Sequence, residues 1–174
     1  MRYWLAQKSL ATRLFEAVIL CGLIGFGQAE GSNQSLGSLK QTLSERPGWD
    51  NDPSEVAYVA ARCGALVTML GGYLKENSSK PEDELNGSRL IERGELITRS
   101  AFYMGMLVKM DAEASLHRSA ELIKRYGELI SSNKRLYNNV FHEPVESDFE
   151  FCLGLENNFI KIIELFDQAI KSKK

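Results

Sequence analysis

Histidine and cysteine are scarce in this chain, and their spacing excludes the common metal and haem motifs. There are two histidines and three cysteines. Neither histidine follows a glutamate by three positions, so the Glu-x-x-His pairs of di-iron bundles are absent, as is the C-x-x-C-H motif of c-type haem. Glu113 precedes His117 by four residues, and His142 stands beside Glu143 and Glu146. Such small groups are more typical of surface charge than of a metal site. We therefore predict no metal, no cofactor and no catalytic residue.

A basic excess and alternating apolar segments are also absent. The chain has 21 Lys+Arg against 23 Asp+Glu. Nonspecific nucleic-acid binding needs a basic face that displaces counterions, so nucleic acid is not expected as a partner. No segment alternates apolar and polar residues with the period of a strand, and this predicts an all-α fold.

The N-terminal 29 residues have the composition of a secretory signal peptide. Arg2, Lys8 and Arg13 precede the uncharged apolar run 17–26, and Gly27-Gln28-Ala29 then supplies small residues at a cleavage site. The run is about half of the ~20 residues that a membrane-spanning helix needs. We therefore predict a cleaved signal and a periplasmic or secreted protein with no stable membrane span. An uncleaved N-terminal membrane anchor and an organelle presequence are the alternatives.

Loss of the leader changes the charge and cysteine balance. The leader holds three basic residues and one acidic residue, which leaves 18 basic and 22 acidic residues and a net charge of −4. Of the cysteines, Cys63 and Cys152 remain. In an oxidising compartment an even pair predicts a disulfide, which would close a loop of about 90 residues and stabilise the fold by about 4 kcal/mol. Two buried free thiols are the alternative.

Apolar spacing of three and four residues predicts an up-down bundle of four helices over 52–174. The predicted helices span 53–76, 82–110, 113–138 and 148–172. Residues 30–51 are predicted to be a flexible segment with room for one short helix through Leu36, Leu39 and Leu43. A tight turn at 111–113 is favoured over one long kinked helix, although it contains no glycine or proline.

Local signals refine these boundaries. Asp52 and Ser147 are predicted N-caps, each with a glutamate three residues later, Glu55 and Glu150, as in a capping box. Asn86-Gly87 indicates a turn-like interruption near the start of the second helix, and the segment 101–108 is expected to be its most buried part. The predicted buried stripe of the third helix is Leu116, Ala120, Ile123, Gly127, Ile130 and Tyr137.

Both retained cysteines lie on apolar stripes, one in the first bundle helix and one in the last. These helices are neighbours in an up-down bundle. In simple antiparallel register the two cysteines would differ in level by about 10–15 Å, whereas a disulfide needs Cα atoms within about 7 Å. A bond therefore requires that the last helix be offset along the first.

The functional prediction follows from the leader and from the lack of catalytic and cofactor motifs. We expect a noncatalytic binding or interaction protein, with a protein partner in the envelope or outside the cell. The alternative is an enzyme or cofactor carrier, for which Glu92, Glu95, Arg99 and Tyr103 share one edge of the second helix. A structural subunit of an envelope assembly is a third class. The sequons at Asn33, Asn77 and Asn86 would carry glycans only in a eukaryotic secreted protein.

Overall fold

The computed structural model describes residues 36–172, and this part of the chain is all-helical with no strand. Its elements are α1 (Leu39–Ser44), a 3-10 turn (Trp49–Asn51), α2 (Pro53–Asn77), α3 (Pro81–Leu107), α4 (Ala112–Tyr137) and α5 (Val145–Lys171). The all-α prediction is confirmed for these residues. The predicted leader 1–29 and the sequon at Asn33 lie outside the described residues.

Helix α2 begins and ends close to its predicted limits. The Asp52 side chain accepts a hydrogen bond of 2.8 Å from the Ser54 amide, as the N-cap prediction requires, and Pro53 occupies the first turn. The capping-box role of Glu55 is wrong. Its carboxylate instead binds Arg46, with 2.7 Å between Nη1 and Oε1, because the preceding turn brings that guanidinium over the end of the helix.

Helices α2 and α3 form an antiparallel pair at very short separation. The facing positions are Gly64 and Thr98, Thr68 and Gly94, Gly71 and Ile91, and Lys75 and Gly87. A Cβ atom on Gly87 would lie 2.7 Å from the Gly71 carbonyl oxygen. The interruption predicted at Asn86-Gly87 is therefore wrong: α3 is continuous there, because Gly87 serves close packing rather than a turn.

The turn between α3 and α4 is made without glycine or proline. The Met110 amide donates to the Gly105 carbonyl at 2.9 Å, and the Lys109 amide donates to the Met106 carbonyl at 3.1 Å. Lys109 takes the left-handed conformation, φ 56°, that glycine usually supplies in this helix-ending motif. The two helices are separate, as predicted.

Burial is concentrated in α2, which packs against each of the other three long helices. Every residue from Val59 to Thr68 is buried. The expectation that 101–108 is the most buried part of α3 is wrong, since Met106 and Leu107 are 53% and 56% exposed. The glycines that bring α3 close to α2, Gly87 and Gly94, lie in its first two thirds, whereas Met106 and Leu107 in its last turn are exposed.

The buried stripe of α4 differs in phase from the prediction. Leu122, Tyr126 and Ile130 are buried, whereas Leu116 and Tyr137 at the two ends are each 53% exposed. The reason is that α4 packs on α2 through its middle, where Tyr126 reaches Arg62. Spacing alone gave the correct period but could not identify the residues at which the two helices cross.

Helix α5 begins at Val145, three residues before the predicted start. The prediction of a capping box at Ser147 and Glu150 is wrong. The Ser147 hydroxyl donates to Glu143 Oε2 at 2.7 Å within the first turn. Val145 is fully buried, so its packing starts the helix earlier than the capping signal indicated.

One described helix, α2, is long and apolar enough to meet a composition test for a membrane span. Most of that stretch is buried inside the fold. The same composition is expected of the central helix in a helical domain.

Candidate functional site

Cys63 of α2 and Cys152 of α5 form a disulfide, as the cysteine pairing predicted. Their Cα atoms are 5.3 Å apart, and both residues are buried. The required offset is present, because the first two turns of α5 lie against the middle of α2, where Asp148 also contacts Arg62. The bond therefore joins two helices whose packing already places the cysteines at one level.

A buried ion-pair network lies directly beside this disulfide. Arg62, Asp148 and Tyr126 are 2%, 0% and 0% exposed. Arg62 Nη2 donates to Asp148 Oδ2 at 2.5 Å, and Arg62 Nε donates to the Tyr126 hydroxyl oxygen at 3.1 Å. The Tyr126 hydroxyl donates in turn to Asp148 Oδ2. Arg62 Nε and Nη2, the Tyr126 hydroxyl and Asp148 Oδ2 thus each have a partner within the fold, and such pairing is the condition under which charges can be buried.

The same network holds the segment that precedes α2. Arg62 Nη2 donates to the Gly37 carbonyl at 2.8 Å, and Asp148 Oδ1 accepts the Leu39 amide at 2.5 Å. Leu39 is the first residue of α1, and the side chain of Ser38 before it makes no capping bond. Asp148 therefore supplies from α5 the negative group that a helix N-terminus favours.

The protonation states follow from burial and charge. Burial raises the pKa of Tyr126 strongly, and the Asp148 charge adds to this, so the phenol is neutral over the physiological range. Burial works against the Arg62 guanidinium, but Tyr126 and Asp148 outweigh it and its pKa is raised. The network holds one cation, one anion and one neutral hydroxyl, with no face open to solvent. This arrangement is suited to fixing the packing of α1, α2, α4 and α5 rather than to reacting with a substrate.

The four residues considered for catalysis on α3 do not come together. Arg99 and Tyr103 join Asp167 of α5, with 2.8 Å from Arg99 Nη2 and 2.9 Å from the Tyr103 hydroxyl to Asp167 Oδ1. Glu92 and Glu95 lie outside this cluster. Partial desolvation raises the pKa of Glu95, and the charge of Glu92 adds to the effect.

The Arg99–Tyr103–Asp167 cluster connects α3 and α5 at the surface. Desolvation opposes the ionised form of Asp167, but the bonds from Tyr103 and Arg99 prevail and its pKa is lowered. Tyr103 also stacks on Phe166, with 4.9 Å between ring centroids. Arg99 and Asp167 are 48% and 37% exposed, so the ion pair is solvated and its contribution is small.

The histidines occupy ordinary surface positions. The His142 ring stacks on Tyr137 with centroids 3.7 Å apart, and His117 and Glu113 are exposed on α4. Within residues 36–172, no group of three or more His, Cys, Asp or Glu side chains is placed to hold a metal ion.

Three exposed apolar side chains lie in the last turn of α3 and near the start of α4. A Cβ atom on Gly105 would lie 3.3 Å from Ser115 Oγ, so the last turn of α3 touches the first turn of α4. Met106, Leu107 and Leu116 flank this contact and are each more than half exposed. We call these three residues the apolar end.

The last turn of α5 is level with the last turn of α3. Its contacts with α3 run in the same chain direction, from Arg93–Glu156 to Tyr103–Phe166. Leu107 and Ile170 each lie four residues beyond the stacked pair, which is one helical turn further along each helix. Ile170 is 49% exposed. Solvent-exposed charges of both signs surround the apolar end, with Lys109, Asp111 and Glu113 in the turn and in α4.

Sequence reasoning missed the buried network. A signal for Arg62 was available, since it is the one charged residue between Val56 and Leu74 on the most apolar helix. A charge in such a position needs a buried partner. Its partners Tyr126 and Asp148 lie 64 and 86 residues away, and nothing local identifies them.

Comparison with protein-family models, curated proteins and solved structures gives no significant match.

Proposed function

We propose that this protein is an exported, noncatalytic interaction protein that binds a protein partner through the apolar end. The observation that carries the proposal is the exposure of Met106, Leu107 and Leu116 around one interhelical contact. Neighbouring apolar side chains on a surface are a feature of interaction sites, and methionine is enriched in protein interfaces.

The charges around the apolar end favour a protein partner over a lipid surface. The exposed charges in the turn, at the start of α4 and next to Ile170 are Lys109, Asp111, Glu113 and Lys171, two of each sign, so these positions have no basic excess. Attraction to anionic lipid depends on such an excess. An apolar centre with a mixed polar rim is instead the usual anatomy of a protein–protein interface.

Export is supported by the leader composition together with the disulfide. Disulfides persist mainly in oxidising compartments such as the periplasm and the extracellular space. Intact mass of the purified natural protein, with and without reductant, tests this part of the proposal. We expect a mass that begins at Glu30 and a gain of two hydrogens on reduction. A reduced protein that begins at Met1 would contradict export with cleavage.

An up-down order of the four long helices is also part of the proposal. Contacts between α2 and α3 run in opposite chain directions, and those between α3 and α5 run in the same direction. This is the alternation expected when consecutive helices reverse. Short connections of three to seven residues between the long helices support it.

Photo-crosslinking with a matched position tests the binding surface. A crosslinking amino acid replaces Met106 in one variant and Leu85 in another, and both are expressed in the cells that make the protein. Leu85 is 52% exposed on the same helix but near its opposite end. We expect one defined crosslinked protein from position 106 and none from position 85.

Affinity for the crosslinked protein then decides whether the contact is specific. Leu107 and Leu116 would become buried in the complex, and their burial would contribute about 3–6 kcal/mol to binding. Leu107→Ser combined with Leu116→Ser should therefore weaken binding at least tenfold. Leu85→Ser should leave the affinity unchanged. Equal crosslinking from both positions, or unchanged affinity of the double variant, would reject the apolar end as the binding surface.

A further inference from the structure

The segment from Leu36 to Asp52, which we call the strap, lies across the part of α5 that carries Cys152. Ser38 Oγ is 3.2 Å from Ser147 Oγ, and the Leu39 amide binds Asp148. The Trp49 and Phe151 rings have centroids 6.1 Å apart. The strap therefore touches α5 at positions 147, 148 and 151, which precede Cys152 by one to five residues.

The strap also contacts the residue next to the other cysteine. Its Gly37 carbonyl accepts a hydrogen bond from Arg62, the residue next to Cys63. Leu39 and Leu43 of the strap are 0% and 5% exposed and belong to the same apolar core as both cysteines. With the strap in place, Cys63 and Cys152 are 0% and 1% exposed.

The strap has little structure that would persist without this docking. Helix α1 has six residues, far fewer than the ~12–15 that an isolated helix needs in water. The link from Glu45 to Gly48 is exposed. A short segment docked by two leucines, one tryptophan and a few hydrogen bonds can open locally while the long helices stay folded.

We propose that the strap is a releasable cover of Cys63–Cys152, and that its opening makes the disulfide a substrate for a dithiol reductant. In that reaction a thiolate of the reductant attacks one cysteine sulfur, forms a mixed disulfide with it and releases the other cysteine as a thiolate. The second thiolate of the reductant then attacks the reductant's own sulfur in the mixed disulfide and releases the first cysteine. The protein gains two electrons and two protons as two thiols, and the dithiol leaves as a cyclic or protein disulfide.

Reduction kinetics under native conditions test the cover. Oxidised protein is exposed to dithiothreitol, and new thiols are counted by alkylation and intact mass. Leu43→Ala loosens the strap, and Leu70→Ala is the control, since Leu70 is 1% exposed in α2 and lies about 10 Å along the helix from Cys63. A Leu→Ala change at a buried position of the strap should favour the open strap by a factor of about 100. Leu43→Ala should therefore accelerate reduction about 100-fold. Leu70→Ala should leave the rate close to that of the unaltered protein.

A second variant keeps the test independent of the folding of Leu43→Ala. A protease site replaces the exposed link 45–48, and the folded, oxidised protein is cut there before reduction. We expect reduction to accelerate after cutting while helical circular dichroism is retained. If both leucine variants accelerate reduction in proportion to their loss of global stability, reduction proceeds through global unfolding and the strap is not a separate cover. An unchanged rate after cutting would also overturn the proposal.

Discussion

Replacement of Asp148 by asparagine should be among the most destabilising single changes in the described part of this protein. The side chain keeps its shape, but the buried Arg62 guanidinium loses its counterion, and water cannot reach it because Arg62 is 2% exposed. Three donors converge on the two Asp148 oxygens, from Arg62, Tyr126 and Leu39. Removal of one partner from a buried pair costs about 3–5 kcal/mol. That is a large share of the 5–15 kcal/mol by which a typical domain is stable.

Asp167 provides the matched control. It also pairs with an arginine and a tyrosine, but its side chain is 37% exposed. Asp167→Asn should therefore cost less than about 1 kcal/mol. Urea unfolding is followed by circular dichroism with the disulfide intact in every variant. The urea midpoints and a common dependence of the free energy of unfolding on urea concentration then give the stability loss of each variant.

A double variant separates the charge from the packing. In Arg62→Met with Asp148→Leu neither buried charge remains, although the Leu39 amide and the Tyr126 hydroxyl lose an acceptor at about 1–3 kcal/mol each. The double variant should cost clearly less than the sum of the two single changes. If Asp148→Asn costs no more than Asp167→Asn, or if the single costs simply add, the attribution to a desolvated ion pair is wrong.

Three further predictions concern glycine packing, the α3–α4 turn and pH. Gly94→Ala should lower stability by several kcal/mol, since its Cβ would lie 2.7 Å from the Thr68 amide nitrogen. Gly154→Ala is the control and should raise stability by about 0.5–1 kcal/mol, because nothing lies within 4 Å of the added Cβ. Thermal unfolding compares the two variants. Lys109→Gly should stabilise by about 1 kcal/mol because it relieves the left-handed conformation, and an unchanged urea midpoint would contradict this. Glu95 has a raised pKa in the fold, so its ionised form destabilises at neutral pH. Glu95→Gln should stabilise the fold at pH 7. This gain in stability should shrink as pH falls through the pKa of Glu95 in the folded protein and disappear below its pKa in the unfolded chain. A gain that persists in acid would refute the prediction.

The buried network explains why its loss should affect several elements together. Arg62, Tyr126 and Asp148 join α2, α4 and α5, and their bonds to Gly37 and Leu39 add the strap. The Cys63–Cys152 bond lies beside them and reduces the conformational freedom of the unfolded chain. Covalent and electrostatic constraints thus act at one level of the molecule, far from the apolar end proposed for binding.

Local spacing determined much of this architecture. A period of three to four apolar residues gave the helical class and the approximate spans of the four long helices, because it reflects the 3.6-residue turn of each helix by itself. The Asp52 cap was predictable for the same reason, since it depends on residues two positions apart. The Cys63–Cys152 pairing followed from two cysteines that were left on apolar stripes.

Only the tertiary structure decided where those helices touch. Gly87 lies within a continuous helix because Gly71 packs against it, and Asp148 is buried inside α5 because Arg62, 86 residues earlier in the chain, needs its charge. The exposure of Met106 and Leu107 depends on which side of the last turn of α3 is left uncovered by the other helices. Capping and periodicity act between residues a few positions apart, so they determine which segments are helical. Desolvation and close packing depend on distant partners, so the network, the strap and the apolar end arise only when the helices come together.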